Sequence, residues 1–429
     1  MTDWQRRVAP LVRAIEKRFD TLKYRVYYAL GGPGPIKIQP YRGYGTRREL
    51  HLRGRVLEDR DITPASETDS WWKNLVNMYK RLQSHEVPHA RLVARFQDVK
   101  REVTADEEGM FEVRIELSQP IGGSDTWQSV TVELIEPLSD RQKGPVQATG
   151  KVLVPPSDAP FGVISDIDDT VIQSDVSNFL RMISTVLLSN ARTRLPLPGV
   201  AAFYRALHAG PTGGGKSPMF YVSNGLWNLY DLLEDFFRVN RIPGGPVLLL
   251  RNWGVYRDEL LPTRQRGHKL GLIRSILDVY PELPFILIGD SSEADPEVYH
   301  SIVHRYGDRI LAVYIRNVSR DPERPKAIRA LAQEILDAGS ELVLADDSLS
   351  MARHAAGHGW IREDTLTEIE AEQSRESAVS EPGGGEALGE KESDVARLGE
   401  LKNNAIRSAL GNAGDDGLST VVVEPDKDS

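Results

Sequence analysis

Gly162-Val163-Ile164-Ser165-Asp166-Ile167-Asp168-Asp169-Thr170 is an apolar run that breaks off into carboxylates. A short, continuous apolar run suits a strand buried on both faces, as in a parallel sheet covered by helices. Similar runs recur at residues 219–222, 247–250, 285–288, 310–315 and 342–344. Between them, helical spacing of apolar residues occurs at 226–238, 269–279, 295–304 and 327–337. Strands alternating with helices in this way predict an α/β domain, three layers deep, around a parallel sheet.

In such sheets, chemistry collects beyond the C-terminal ends of the strands. The first run gives Asp166 and Asp168 two residues apart, with Asp169 and Thr170 behind them. Alone this is weak, because acidic turns are common. Clustered carboxylates repel, and a hard cation with oxygen ligands resolves the repulsion. One carboxylate is then available as a nucleophile and its neighbour as a proton shuttle. Later strand ends add to the pattern. The run at 219–222 leads into Ser223-Asn224, a hydroxyl and an amide suited to phosphoryl oxygens. Gly267-His268-Lys269 reads as the opening of a helix that carries a cation. Gly289-Asp290-Ser291-Ser292-Glu293-Ala294-Asp295 places further carboxylates after the run at 285–288. Asp346-Asp347 follows the last run and reads as a helix N-cap or a solvated turn.

Taken in order, these segments resemble the four motifs of the haloacid-dehalogenase (HAD) phosphatase superfamily. The phrases Ser165-Asp166-Ile167-Asp168-Asp169-Thr170-Val171, Tyr221-Val222-Ser223-Asn224 and Ile288-Gly289-Asp290-Ser291 are further similar to the phosphatidate phosphatase catalytic-domain family. Asp295-Pro296-Glu297-Val298-Tyr299 and Val313-Tyr314-Ile315-Arg316-Asn317-Val318 fit that family too. The resemblance implies a HAD-like (Rossmann-like) catalytic domain that removes phosphate from phosphatidate, or from a related lipid phosphate, with Mg²⁺. Carried over by position, it makes Asp166 the nucleophile of a phospho-aspartyl intermediate and Asp168 the general acid and base. Mg²⁺ is then held by Asp166, Asp168 through its backbone carbonyl, and Asp290. Ser223 and Lys269 bind the transferring phosphoryl group, Asn224 either joins them or caps the helix that follows, and Thr170 and Asp295 support the site. The same chemistry serves a phosphatase of soluble metabolites or phosphoproteins. A catalytically retired scaffold that binds membranes or partner proteins is the reading from a different class.

The rest of the chain is organised around this domain, taken as residues 155–362. Residues 22–154 carry short alternating runs such as Phe111-Glu112-Val113-Arg114-Ile115 and predict a small antiparallel, sandwich-like β domain, with a helix around 71–82. Residues 1–21 place Trp4, Val8, Leu11, Val12, Ile15 and Phe19 on one helical face, with arginine and lysine on much of the rest. That pattern fits a surface helix packed on the next domain, and also peripheral contact with an anionic membrane. Residues 175–198 are apolar and lie where the superfamily inserts a cap, a reading that competes with an ordinary buried helix.

Residues 363–429 read as an acidic, disordered tail. From 361 onward there are 17 acidic and 7 basic residues, so the formal net charge of −9 leaves about +1 on everything before it. With no basic body, no nucleic-acid partner is expected. Cysteine is absent, which excludes disulfides and thiolate metal sites. No run of apolar residues is long enough to span a bilayer and no signal peptide is evident, so a cytoplasmic location is the expectation.

Overall fold

A computed structural model describes residues 34–59, 86–139, 142, 144–167, 170, 197–227, 230–251 and 262–380, with backbone only at 224–226, 232, 250–251, 262–266 and 378–380. The N-terminal amphipathic segment, the helix expected around 71–82 and almost all of the apolar span 175–198 lie outside these residues, as does everything beyond 380.

The first eight strands are β1 (Ile36–Pro40), β2 (Gly43–Gly45), β3 (Glu49–Glu58), β4 (Arg91–Phe96), β5 (Val99–Thr104), β6 (Met110–Glu116), β7 (Trp127–Glu136) and β8 (Gln147–Leu153). Alternation decides which side chains face inward. In β6, Phe111, Val113 and Ile115 are buried while Glu112, Arg114 and Glu116 are exposed. Hydrogen bonds link all eight strands into one sheet, and its inward faces share a single apolar cluster. The all-antiparallel expectation is corrected at one pair, because β2 runs parallel to β8. Periodicity cannot reveal a strand of three residues, and Gly43-Tyr44-Gly45 is set by close approach instead. A Cβ on Gly43 or Gly45 would run into the carbonyl oxygen of His51 or Glu49.

The second sheet contains β9 (Gly162–Asp166), β10 (Met219–Leu226), β11 (Val247–Arg251), β12 (Phe285–Asp290), β13 (Ile310–Arg316) and β14 (Leu342–Ala345). All its pairings are parallel, and β9 and β12 are buried along their whole length, as their unbroken apolar runs require. Among the described residues, seven α-helices accompany it: α1 (Val200–Ala209), α2 (Tyr230–Val239), α3 (Pro262–Val279), α4 (Asp295–Tyr306), α5 (Arg324–Asp337), α6 (Ser348–Gly357) and α7 (Thr365–Ser380). Successive strand residues point to opposite faces. Val163, Tyr221 and Ile286 pack with α1, α2, α6 and α7, whereas Ile164, Phe220 and Leu287 pack with α3, α4 and α5.

Helix limits depart from the sequence reading: the helix expected from 226 starts at Tyr230 because β10 runs to Leu226, and the one expected from 327 starts at Arg324. Helix α3 begins at Pro262, a residue favoured in the first turn, so Gly267 lies inside the helix rather than at its start. Residues 365–380, assigned to the flexible tail, form α7, whose Ile369 is fully buried. Its acidic side chains cap α1. Glu376 accepts the Gly199 N–H at 2.7 Å and Glu372 accepts the Ala202 N–H at 2.9 Å, satisfying donors at the start of α1. Asp347 is the N-cap of α6 and accepts the Ser350 N–H at 2.7 Å.

The two sheets meet through aromatic and backbone contacts. Tyr41 stacks on Trp227 with ring centroids 4.5 Å apart. The Tyr280 hydroxyl accepts from Gly45 N–H at 3.1 Å and donates to Gly45 C=O at 3.0 Å, and both bonds are buried. Tyr280→Phe strands two backbone groups of β2 at once. The expected cost is about 1–3 kcal/mol, read as a lower urea midpoint with an unchanged slope.

Candidate active site

The strand order β11-β10-β9-β12-β13-β14 places the reversal of the sheet between β9 and β12. A crevice forms beyond the C-terminal ends of strands at such a point. The last residues of these two strands are Asp166 and Asp290, both fully buried. Register brings in a third strand. Asp166 pairs with Val222, so Ser223 stands one step beyond it on β10, also buried.

Lys269 enters this crevice from α3 with its side chain only 4% exposed. Its Nζ lies 2.6 Å from Asp166 Oδ1 and 3.4 Å from Glu293 Oε2, and it also pairs with Asp295 Oδ1. Burial works to lower the Lys269 pKa, but the charges of Asp166, Asp295 and Glu293 outweigh it and hold the ammonium well above its ordinary range. Asp295 serves two neighbours, since its Oδ2 accepts the Asp290 N–H at 3.2 Å. Asp290 Oδ1 accepts from the Ser292 N–H at 2.6 Å, the Ser292 hydroxyl at 2.5 Å and the Glu293 N–H at 3.0 Å. Burial, followed by the Asp295 charge, raises the Asp290 carboxyl to about 7 despite these donors.

The loop after β12 is itself fastened. Arg324 donates to the carbonyls of Ser291 at 2.9 Å and Glu293 at 2.7 Å, and the Ser291 hydroxyl accepts from Val318 and Ser319 N–H groups. Beneath Asp166, the Ser165 hydroxyl bonds Tyr204 Oη and the Asp166 carbonyl, each at 2.6 Å. Gly289 is needed for close approach. A Cβ there would lie 2.8 Å from both Cβ and Cγ of Asp295. Gly289→Ala therefore pushes Asp295 off Lys269 and off the Asp290 N–H. A loss of about 1–3 kcal/mol is expected in urea unfolding, as for other overpacked sites.

Of the residues singled out in the sequence, Asp166, Lys269, Asp290 and Asp295 are brought together directly, with Ser223 beside them. Thr170 is buried. Asp168, Asp169 and the side chain of Asn224 lie outside the described residues. Sequence reasoning missed Glu293 as a partner of Lys269 and Ser292 as a clamp on Asp290. It also missed Arg324, whose role depends on packing of α5 against the loop.

Asp166, Asp290 and Asp295 each offer an oxygen within 4.8 Å of the others. Asp290 Oδ2 is buried with no hydrogen-bond partner among the described residues. An all-oxygen donor set with a stranded carboxylate oxygen fits a hard divalent cation. Asp295 is already engaged by Lys269 and the Asp290 N–H, which leaves Asp166 and Asp290 as the carboxylates best placed to hold one.

Residues 161–317 match the family profile described as phosphatidate phosphatase APP1, catalytic domain. That segment is similar to the phosphatidate phosphatase catalytic-domain family. Over 157 residues the chain is 33% identical to phosphatidate phosphatase APP1 of Saccharomyces cerevisiae, an alignment covering 36% of this chain and 26% of the yeast protein. It is 32% identical over 165 residues to an uncharacterized protein of Schizosaccharomyces pombe, covering 38% and 26% respectively. The chain thus spans about a quarter of the length of these two relatives. Among solved structures, a carbohydrate acetylesterase from Xanthomonas citri aligns over 74% of this chain and 72% of its own at 12% identity. Its TM-score of 0.28 is too low to bear on fold or function.

Proposed function

We propose that the crevice around Asp166 is the centre of a metal-dependent phosphatase, with phosphatidate or a related lipid phosphate as its favoured substrate. One observation carries this reading: a buried Asp166–Lys269 ion pair beside Asp290, within the phosphatidate phosphatase-like segment. The sequence order of Asp166, Ser223, Lys269 and Asp290, together with the strand order, supports a HAD-like fold. In this reading residues 155–362 carry the chemistry and the β-rich residues 22–154 are accessory.

An oxygen of Asp166 attacks phosphorus while the bond to the leaving alkoxide oxygen breaks, giving a phospho-aspartyl intermediate. Asp168 donates a proton to the leaving oxygen, then takes one from the water that attacks the same phosphorus and frees Asp166. Lys269 keeps Asp166 ionised and neutralises charge on the transferring group, and Ser223 donates a hydrogen bond to it. Held by Asp166, the Asp168 carbonyl and Asp290, Mg²⁺ would supply Lewis-acid neutralisation of phosphoryl oxygens. Asp295 positions Lys269 and the backbone of Asp290.

The test is hydrolysis by the full chain with Mg²⁺ of phosphatidate in mixed micelles and of a panel of water-soluble phosphate esters. Phosphate release from phosphatidate, abolished by a chelator and restored by Mg²⁺, is the expected result. Faster turnover of a soluble ester would move the substrate class away from lipids. Failure on every ester would overturn the phosphatase reading.

A further inference from the structure

At the other end of the parallel sheet, away from Asp166, two histidines and a glutamate converge. Glu341 immediately precedes β14, while His354 lies in the last turns of α6 and His358 is its C-cap. His354 Nε2 is 2.8 Å from Glu341 Oε2, and His358 Nε2 is 3.6 Å from the same oxygen. All three ligand atoms lie within 4.8 Å of one another. We propose that Glu341, His354 and His358 form a second metal site, selective for a borderline transition-metal ion such as Zn²⁺.

Three features go beyond a chance cluster. First, the rings are held from behind. His358 Nδ1 faces the His354 carbonyl oxygen at 3.0 Å, so that nitrogen carries the proton and Nε2 keeps its lone pair. His354 Nδ1 is 3.0 Å from the buried-side hydroxyl of Tyr314, an outer partner of the kind metal-bound imidazoles use. Second, the indole of Trp360 stacks on the His358 ring at 4.6 Å and limits its rotation. Third, the site lies at the C-terminus of α6, where the backbone carbonyls favour a cation.

Tetrahedral bonds of about 2.0–2.2 Å set ligand atoms roughly 3.3–3.6 Å apart; the 3.6 Å between His358 and Glu341 fits, and the 2.8 Å hydrogen bond between His354 and Glu341 opens by about half an ångström to admit an ion. Imidazole with one carboxylate suits Zn²⁺ far better than Mg²⁺, so this site and the carboxylate crevice select different ions. A bound ion would tie the end of α6 to the residue that leads into the edge strand. A second His-x-x-x-His pair, His300 and His304 beside Glu334, lacks this backing: its two Nε2 atoms contact each other at 3.0 Å.

The experiment is Zn²⁺ titration of the untagged full chain in saturating Mg²⁺, followed by calorimetry and by tryptophan fluorescence. One Zn²⁺ is expected to bind with micromolar or tighter affinity, raise the melting temperature and change the emission. Both His354→Ala and His358→Ala should weaken it at least about tenfold, whereas His300→Ala should leave it unchanged. Trp360→Phe should keep the heat of binding and lose most of the emission change. His358 is exposed at a helix end, so its variant keeps the test sound if His354→Ala unfolds. Absence of saturable binding below about 100 μM, a range far weaker than dedicated zinc sites reach, would overturn the proposal. So would binding that survives both histidine variants.

Discussion

Asp166→Asn is expected to lose at least about a thousandfold in phosphatase turnover while the protein folds as before. The carboxamide has the shape of the carboxylate but no anionic oxygen to form the acyl-phosphate, so the loss should fall on kcat more than on KM. Stability should move the other way. Asp166, Asp290 and Asp295 are all fully buried beside the buried ammonium of Lys269. Burial, with the Asp295 charge behind it, already raises Asp290 to about 7, a sign that this crevice holds more negative charge than it can solvate. Removing one charge relieves that repulsion, and Lys269 keeps Asp295 and Glu293 as partners. Without divalent cation, the variant's melting temperature should equal or exceed that of the parent chain. Added Mg²⁺ should stabilise the parent more than the variant, because one of its anionic holders is gone. Turnover comparable to the parent would rule out Asp166 as nucleophile. A clear loss of stability without cation would show that this carboxylate is structural.

How far these roles were legible in the sequence depends on the range of the interaction. The strand ending in Asp166 could be read locally, because burial on both faces demands an unbroken apolar run, and 162–166 supplies one. Asp347 was legible as a cap for the same local reason. Lys269 was found through its resemblance to a motif; helical periodicity alone would have placed it as one more polar residue near Gly267. Glu293 and Arg324 were not legible, since what they touch is fixed by how α3 and α5 pack against the loop after β12. Helix α7 was missed for a related reason. It has little amphipathic pattern beyond Leu366 and Ile369, and its acidic residues looked like a solvated tail. Glu372 and Glu376 in fact supply acceptors to the N-terminus of α1, a partner more than 160 residues away in sequence.

Lys269→Met tests the electrostatics of the crevice from the opposite side. Methionine fills nearly the same volume, so the substitution removes a charge with little cavity. Asp166 and Asp295 then lose their shared cation while still buried, a change that costs about 3–5 kcal/mol when one partner of a buried ion pair is deleted. The urea midpoint should fall accordingly, and turnover should drop at least about a hundredfold for want of the cation that faces the transferring group. The two effects can be separated. Adding Asp295→Asn removes one stranded carboxylate, so the double variant should regain part of the lost stability and none of the activity. The coupling in that double-mutant cycle measures the Lys269–Asp295 interaction within the site. Mg²⁺ should also restore some stability to Lys269→Met, since a dication replaces the missing positive charge beside Asp166. Lys269→Arg is not expected to rescue turnover, because a planar guanidinium cannot put one compact charge between Asp166, Asp295 and Glu293. A Lys269→Met protein as stable as its parent would mean that these carboxylates are neutral in the folded chain, and the ion-pair account of the crevice would fail with it.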